Sequence, residues 1–73
     1  YKKKQTIYAE GSYPNGLFFI VKGKVKTFKT NSDGKELIIG LYKDGDFIGY
    51  NALLEENKYA ESASALEDSE VVI

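Results

Sequence analysis

Apolar and polar residues change over in short bursts along this chain, at the spacing of strands rather than of long helices. Gln5-Thr6-Ile7-Tyr8 reads as a short strand closed by Glu10-Gly11. Residues 17–21 form an unbroken apolar run, the pattern of a strand buried on both faces, and Gly23 breaks it. Residues 24–30 and 35–42 flank Asn31-Ser32-Asp33-Gly34, and Asp-Gly between two strand-like runs predicts a hairpin. Alternation along the second arm sets Leu37, Ile39 and Leu41 on one face, expected to be the core face. Lys22, Lys24 and Lys26 alternate with Gly23 and Val25, so they read as a lysine ladder on one face. A solvated or aggregation-deterring edge accounts for such a ladder better than an anion site does.

Tyr13-Pro14-Asn15-Gly16 reads as a turn, because proline fixes φ and Asn-Gly accepts positive φ. One short helix is expected over residues 51–57, with Asn51 as its cap. Residues 60–66 follow as a small-residue strand, Glu67-Asp68-Ser69 as a turn and residues 70–73 as a last strand. Short strands separated by turn signals predict an all-β sandwich or barrel.

Composition narrows the possible chemistry. Seventy-three residues make one domain, and a chain of this size buries only about 60% of its unfolded surface. Apolar residues at 42% and aromatics at 14% suffice for a globular core. All ten basic residues are lysines, set against eleven acidic ones, so no basic excess marks a nucleic-acid footprint. The chain has no cysteine and no histidine, which removes disulfides, thiolate nucleophiles, zinc-thiolate sites and imidazole general bases. The absence of cysteine fits a cytoplasmic protein; no apolar run is long enough to span a bilayer as a helix and no secretory signal opens the chain. It opens at Tyr1 and stops inside Glu70-Val71-Val72-Ile73. We therefore expect residues 1–73 to be one domain, incomplete at its C-terminus, within a longer protein.

The run Asp44-Gly45-Asp46-Phe47-Ile48-Gly49, followed by a helical turn and then Glu61-Ser62-Ala63, is a compact frame for binding an anion. Glycine allows close backbone approach, and the amides around Asn51, Ala52 and Leu53 offer donors. Asp44-Gly45-Asp46 itself reads as a tight turn, and its spacing is not that of a calcium-binding loop.

The order of these features resembles the cyclic-nucleotide-binding domain family, in particular the sensor domain of bacterial CRP/FNR-type transcription regulators. The matching segments are Ile7-Tyr8-Ala9-Glu10-Gly11, Pro14-Asn15-Gly16-Leu17-Phe18-Phe19-Ile20, Gly23-Lys24-Val25-Lys26, Asp33-Gly34-Lys35-Glu36, Gly45-Asp46-Phe47-Ile48-Gly49, Ala52-Leu53-Leu54 and Ser62-Ala63. The resemblance implies an antiparallel double-stranded β-helix, a jelly-roll-like β-roll with one short helix in its phosphate-binding cassette. It places the ligand positions at Gly49, Tyr50, Asn51, Ala52, Leu53, Glu61, Ser62 and Ala63.

Two of these positions depart from the family pattern. Where nucleotide-binding members carry a glutamate for the ribose hydroxyl, this chain has Tyr50. Where they carry an arginine for the cyclic phosphate, it has Glu61, or Ala60 if the loop is counted one residue shorter. Arginine suits that position because its planar fork gives a phosphate two parallel bonds and keeps its charge. Two readings follow for the site. Either the amides near Gly49 with the Ser62 hydroxyl, and Lys58 as a substitute charge, still hold a cyclic nucleotide or other small anionic effector, or the Tyr50 ring fills the cavity.

The function implied is a ligand-sensing domain of a transcription regulator, reaching DNA only through a domain outside this chain and homodimeric in the full-length protein. The alternative is a ligand-free roll used for dimerisation or protein docking. No membrane partner, metal or catalytic residue is expected; a cupin-like enzyme would need the histidines that are missing.

Overall fold

The structure is a computed structural model that describes residues 1–73. Seven strands and one helix follow in the order β1 (Thr6–Tyr8), β2 (Phe18–Lys22), β3 (Lys24–Thr30), β4 (Glu36–Lys43), β5 (Phe47–Ile48), α1 (Tyr50–Leu54), β6 (Ser62–Ala65) and β7 (Glu70–Val72). They form two antiparallel sheets, one ordered β1-β6-β3-β4 and the other β5-β2-β7. The mainly-β roll with one short helix is thus as expected.

The chain changes sheet between β2 and β3 at a single residue, Gly23, whose φ is +115°. A Cβ there would collide with the Ser69 side chain and come within 2.8 Å of its Cα. Asp44 receives the Gly23 N–H at 2.7 Å and Ser69 Oγ receives the Lys24 N–H at 3.2 Å, so the crossing is held from both sides. This crossing also corrects the lysine ladder. Lys22 belongs to the other sheet, and only Lys24 and Lys26 share a face, where they pair with Glu67 at 3.9 Å and Glu36 at 2.8 Å.

One core cluster draws on both sheets: Tyr8, Val25 and Ala63 from one, Phe18, Ile20 and Ile48 from the other. β2 is not buried on both faces as its apolar run suggested. Phe18 and Ile20 point into the core, Val21 is exposed, and Phe19 turns out to meet Phe47 on β5 at 4.9 Å. The unpredicted β5 exists because the Asp44-Gly45 turn sends residues 47–48 back along β2.

The β3–β4 hairpin forms as expected around Asp33-Gly34, with Asn31 Oδ1 accepting from the amides of Asp33 and Lys35. The face of β4 does not follow the prediction. Leu37, Ile39 and Leu41 are 65%, 48% and 67% exposed. β4 is an edge strand, and Thr27 pairs with Gly40 while Phe28 pairs with Ile38, leaving Ile39 in a bulge that shifts the alternation. The inward partners are Gly40 and Tyr42; a Cβ on Gly40 would sit 2.9 Å from the Tyr42 ring.

Other boundaries also move. Residues 13–16 form no hydrogen-bonded turn, and Gly16 lacks positive φ; it is small because Ile73 packs 3.0 Å from where its Cβ would be. α1 spans five residues, and its cap is Gly49 in the left-handed conformation rather than Asn51.

Candidate functional site

The cassette residues are placed by two devices. The Asp44-Gly45 turn is closed by the Asp46 N–H to Lys43 O at 3.0 Å and tied to β2 by Gly45 N–H to Ile20 O at 2.8 Å. Gly49 then adopts φ +77°, which redirects the chain from β5 into α1. A five-residue helix ends in Glu55, and the loop beyond it returns Tyr59 to the core, where Tyr59 is 5% exposed.

A cavity of about 250 Å³ opens beside this segment. It brings together Gly49, Tyr50, Asn51, Ala52 and Glu61 among the expected site residues, with Ala60 beside Glu61. Leu53, Ser62 and Ala63 are not on its wall. Ser62 Oγ instead accepts the Glu10 N–H at 2.9 Å, and Ala63 is fully buried in the core. Tyr50 lines the cavity and is 49% exposed.

Sequence reasoning missed the rings that shape the interior. Tyr8 and Tyr59 stack with centroids 3.9 Å apart, and the Phe18 ring lies 5.8 Å from that of Tyr8 at 30° between planes. A Cβ at Gly49 would lie 3.1 Å from the Tyr59 ring and 3.4 Å from Tyr8. Glycine at 49 therefore makes room for these rings. Tyr59 lies in a loop outside any alternating pattern; the clue available was a large aromatic amid small polar residues.

The pocket's charge is carried by side chains that have no ionic partner. The two ion pairs of the chain lie elsewhere, so Glu55 and Glu61 on the wall are both unpaired. Lys58 also borders the pocket, but its ammonium lies over the Tyr13 ring, 5.3 Å from the centroid. Burial pushes the Tyr8 hydroxyl well above its ordinary range, and the Glu61 charge raises it further, followed by Tyr59 and Tyr42. Burial raises Tyr59 as well, and its hydroxyl is enclosed without a hydrogen-bond partner. Both phenols are neutral donors and acceptors at neutral pH.

Comparison with known proteins agrees with this architecture. The cyclic nucleotide-binding domain model matches residues 1–73. The chain is 40% identical over 65 residues to the cAMP-activated global transcriptional regulator Vfr of Pseudomonas aeruginosa, covering 89% of this chain and 30% of that protein. The crystal structure of the Thermus thermophilus catabolite activator protein superposes with a TM-score of 0.87 at 32% identity, over 97% of this chain and 33% of that one. The cAMP-bound EAL enzyme Bd1971 superposes with a TM-score of 0.89 at 30% identity, over 99% of this chain and 20% of that one. The chain spans about a third of the length of its curated relatives. From its fold, its cassette and these matches, the chain belongs to the cyclic nucleotide-binding domain family, with relatives among the CRP-type regulators.

Proposed function

We propose that this domain is the effector-sensing module of a CRP-type transcription regulator in which the two side chains that hold a cyclic nucleotide have been lost. The observation that carries this reading is the wall of the pocket. Tyr50, Ala60 and Glu61 all line it; the family resemblance sets Tyr50 where the ribose-binding glutamate stands, and Glu61, or Ala60 on the shorter count of the loop, where the phosphate-binding arginine stands. Glu61 has no cation to neutralise it, and no arginine exists in the chain. Two like charges about 4 Å apart repel by about 4 kcal/mol at an effective dielectric of about 20. That is close to a thousandfold in affinity, before the lost attraction is counted.

In this reading the domain is non-enzymatic and cytoplasmic, the full-length protein is a homodimer, and DNA is bound by a domain outside this chain. Calorimetry on the full-length protein with cyclic AMP and cyclic GMP tests it. No heat at millimolar nucleotide is the expected result, with binding gained in Glu61→Arg combined with Tyr50→Glu. Micromolar binding by the unaltered protein overturns it.

A ligand-free roll that docks protein is the second reading, favoured by the exposed apolar row of Leu37, Ile38, Ile39 and Leu41 on β4. It is separated from the first by whether any small molecule changes the protein's DNA affinity.

A further inference from the structure

We propose that two copies of this chain associate through β4, whose free edges pair antiparallel about a two-fold axis so that Glu36 of each copy faces Lys43 of the other. The inference is independent of what the pocket beside Gly49 binds.

β4 is hydrogen-bonded to β3 alone, so its other edge presents unpaired N–H and C=O groups along eight residues. Edge strands are ordinarily blunted by charge along their length. The interior of β4, residues 37–42, carries none, and Leu37, Ile38, Ile39 and Leu41 are each about half or more exposed. What such an edge accepts is another strand, and the ends of β4 say which one fits. Glu36 opens the strand and Lys43 closes it, opposite charges at opposite ends. An antiparallel second copy brings each against its complement.

The whole register is complementary. With Glu36 set against Lys43, Leu37 meets Tyr42 and Ile38 meets Leu41, and just outside the strand Lys35 meets Asp44. A slip of one residue opposes like charges, Lys35 with Lys43 in one direction or Glu36 with Asp44 in the other. Like charges directly opposite one another destabilise a strand pair.

The backbone selects the same register on separate grounds. In a regular strand every second residue turns its N–H and C=O to the same side, so a two-fold pairing matches only residues an even number of positions apart. Glu36 and Lys43 are seven apart. The bulge removes this mismatch. Thr27 pairs with Gly40 and the next residue, Phe28, pairs with Ile38, so the alternation changes phase at Ile39. Glu36, Ile38, Leu41 and Lys43 lie opposite Thr30, Phe28, Lys26 and Lys24, every second residue of β3, and therefore turn their backbone groups the same way. The Glu36 carboxylate also has room for a second cation. Lys26 takes its Oε2 at 2.8 Å, and Oε1 is left for Lys43, which forms no ion pair within its own chain.

The test is sedimentation velocity on the 73-residue chain, where no segment outside these residues contributes. One strand per copy is a small interface, so a weak dimer is expected, with a dissociation constant of about 100 µM. Glu36→Lys alone and Lys43→Glu alone each set like charges at both ends of the pairing, and each is expected to weaken it at least about tenfold. Mixing these two variants restores opposite charges at both ends, and a mixed dimer at least as tight as the unaltered one is expected. Register is read separately with single cysteines, since the chain has none. Directly opposed Cα atoms lie about 4.5–5.5 Å apart, within disulfide reach. Under mild oxidation Ile38→Cys mixed with Leu41→Cys is expected to cross-link, while neither links to itself; this arm holds even if a charge variant fails to fold. A chain that stays monomeric at about 1 mM overturns the proposal. So does association that the folded charge variants leave unchanged, or cross-linking no more frequent in the mixture than in either cysteine variant alone.

Discussion

The rings of Tyr8 and Tyr59 lie 15° apart in plane and both pack over Gly49, where a side chain is missing. Tyr8 comes from β1 and Tyr59 from the loop after α1, so the stack ties the first strand to the cassette across the sequence. Truncating Tyr59 to alanine removes a buried ring and leaves a hole, and is expected to cost about 3–5 kcal/mol in urea unfolding. Tyr59→Phe removes only a hydroxyl that has no protein partner, so its midpoint is expected to stay level or rise. A loss of more than about 1 kcal/mol in Tyr59→Phe would show that the hydroxyl is paired within the protein.

The glycines give a graded series. Gly34 has φ +81° and open space around its Cβ direction, so Gly34→Ala bears only the backbone penalty, about 1 kcal/mol. Gly49→Ala adds a 3.1 Å approach to the Tyr59 ring, and is expected to cost more and to alter the cavity. Gly23→Ala meets the Ser69 side chain and backbone at the sheet crossing and is expected to be the worst of the three. Unfolding midpoints that fall in any other order contradict the assigned roles.

These positions show what the chain made readable. The Asp33-Gly34 hairpin and the Asp44-Gly45 turn were legible because turn chemistry acts within a few residues, and the fold followed from their order. The orientation of β4 was not. Alternation tells which residues share a face but not whether anything covers that face, and the bulge at Ile39 shifts the alternation itself. At the site, Gly49, Tyr50 and Glu61 were readable from the cassette pattern. The Tyr8–Tyr59 stack was not, because the contact joins residues 51 positions apart with no local signal in the intervening loop.

The same ring stack makes the fold sensitive to alkali. The Tyr8 phenol, held above its ordinary value of 10.0 by burial and then by Glu61, binds its proton in the folded state after the unfolded chain has released it. A raised folded value means that its contribution is fully present below about pH 10 and is lost as pH climbs beyond that. Unfolding free energy is expected to be insensitive to this group up to about pH 9, then to fall by about 1.4 kcal/mol per pH unit. Urea midpoints measured at intervals from neutral to strongly alkaline pH check this. Tyr59, also raised by burial, adds to the same limb, so Tyr8→Phe should make it shallower without abolishing it, and an unchanged limb in that variant would assign the loss to other groups.

The exposed row on β4 makes a separate prediction about association. Leu37, Ile38, Ile39 and Leu41 are each about half or more exposed, on a strand with a partner on one side only. An apolar edge strand of this kind offers both unpaired backbone groups and a hydrophobic surface to another chain. Charge sits only at the two ends of the strand, at Lys43 and at Glu36, which is already engaged by Lys26 at 2.8 Å. Leu37 and Leu41 are 65% and 67% exposed, so replacing them with lysine removes little buried area, and unfolding free energy is expected to change by no more than about 0.5 kcal/mol per site. Sedimentation velocity at high protein concentration should then shift toward the monomer relative to the unaltered 73-residue chain. If the double variant unfolds far more easily, these leucines are packed in the folded protein. If it associates as before, the contact runs through another face, with exposed Leu54 on α1 the next to test.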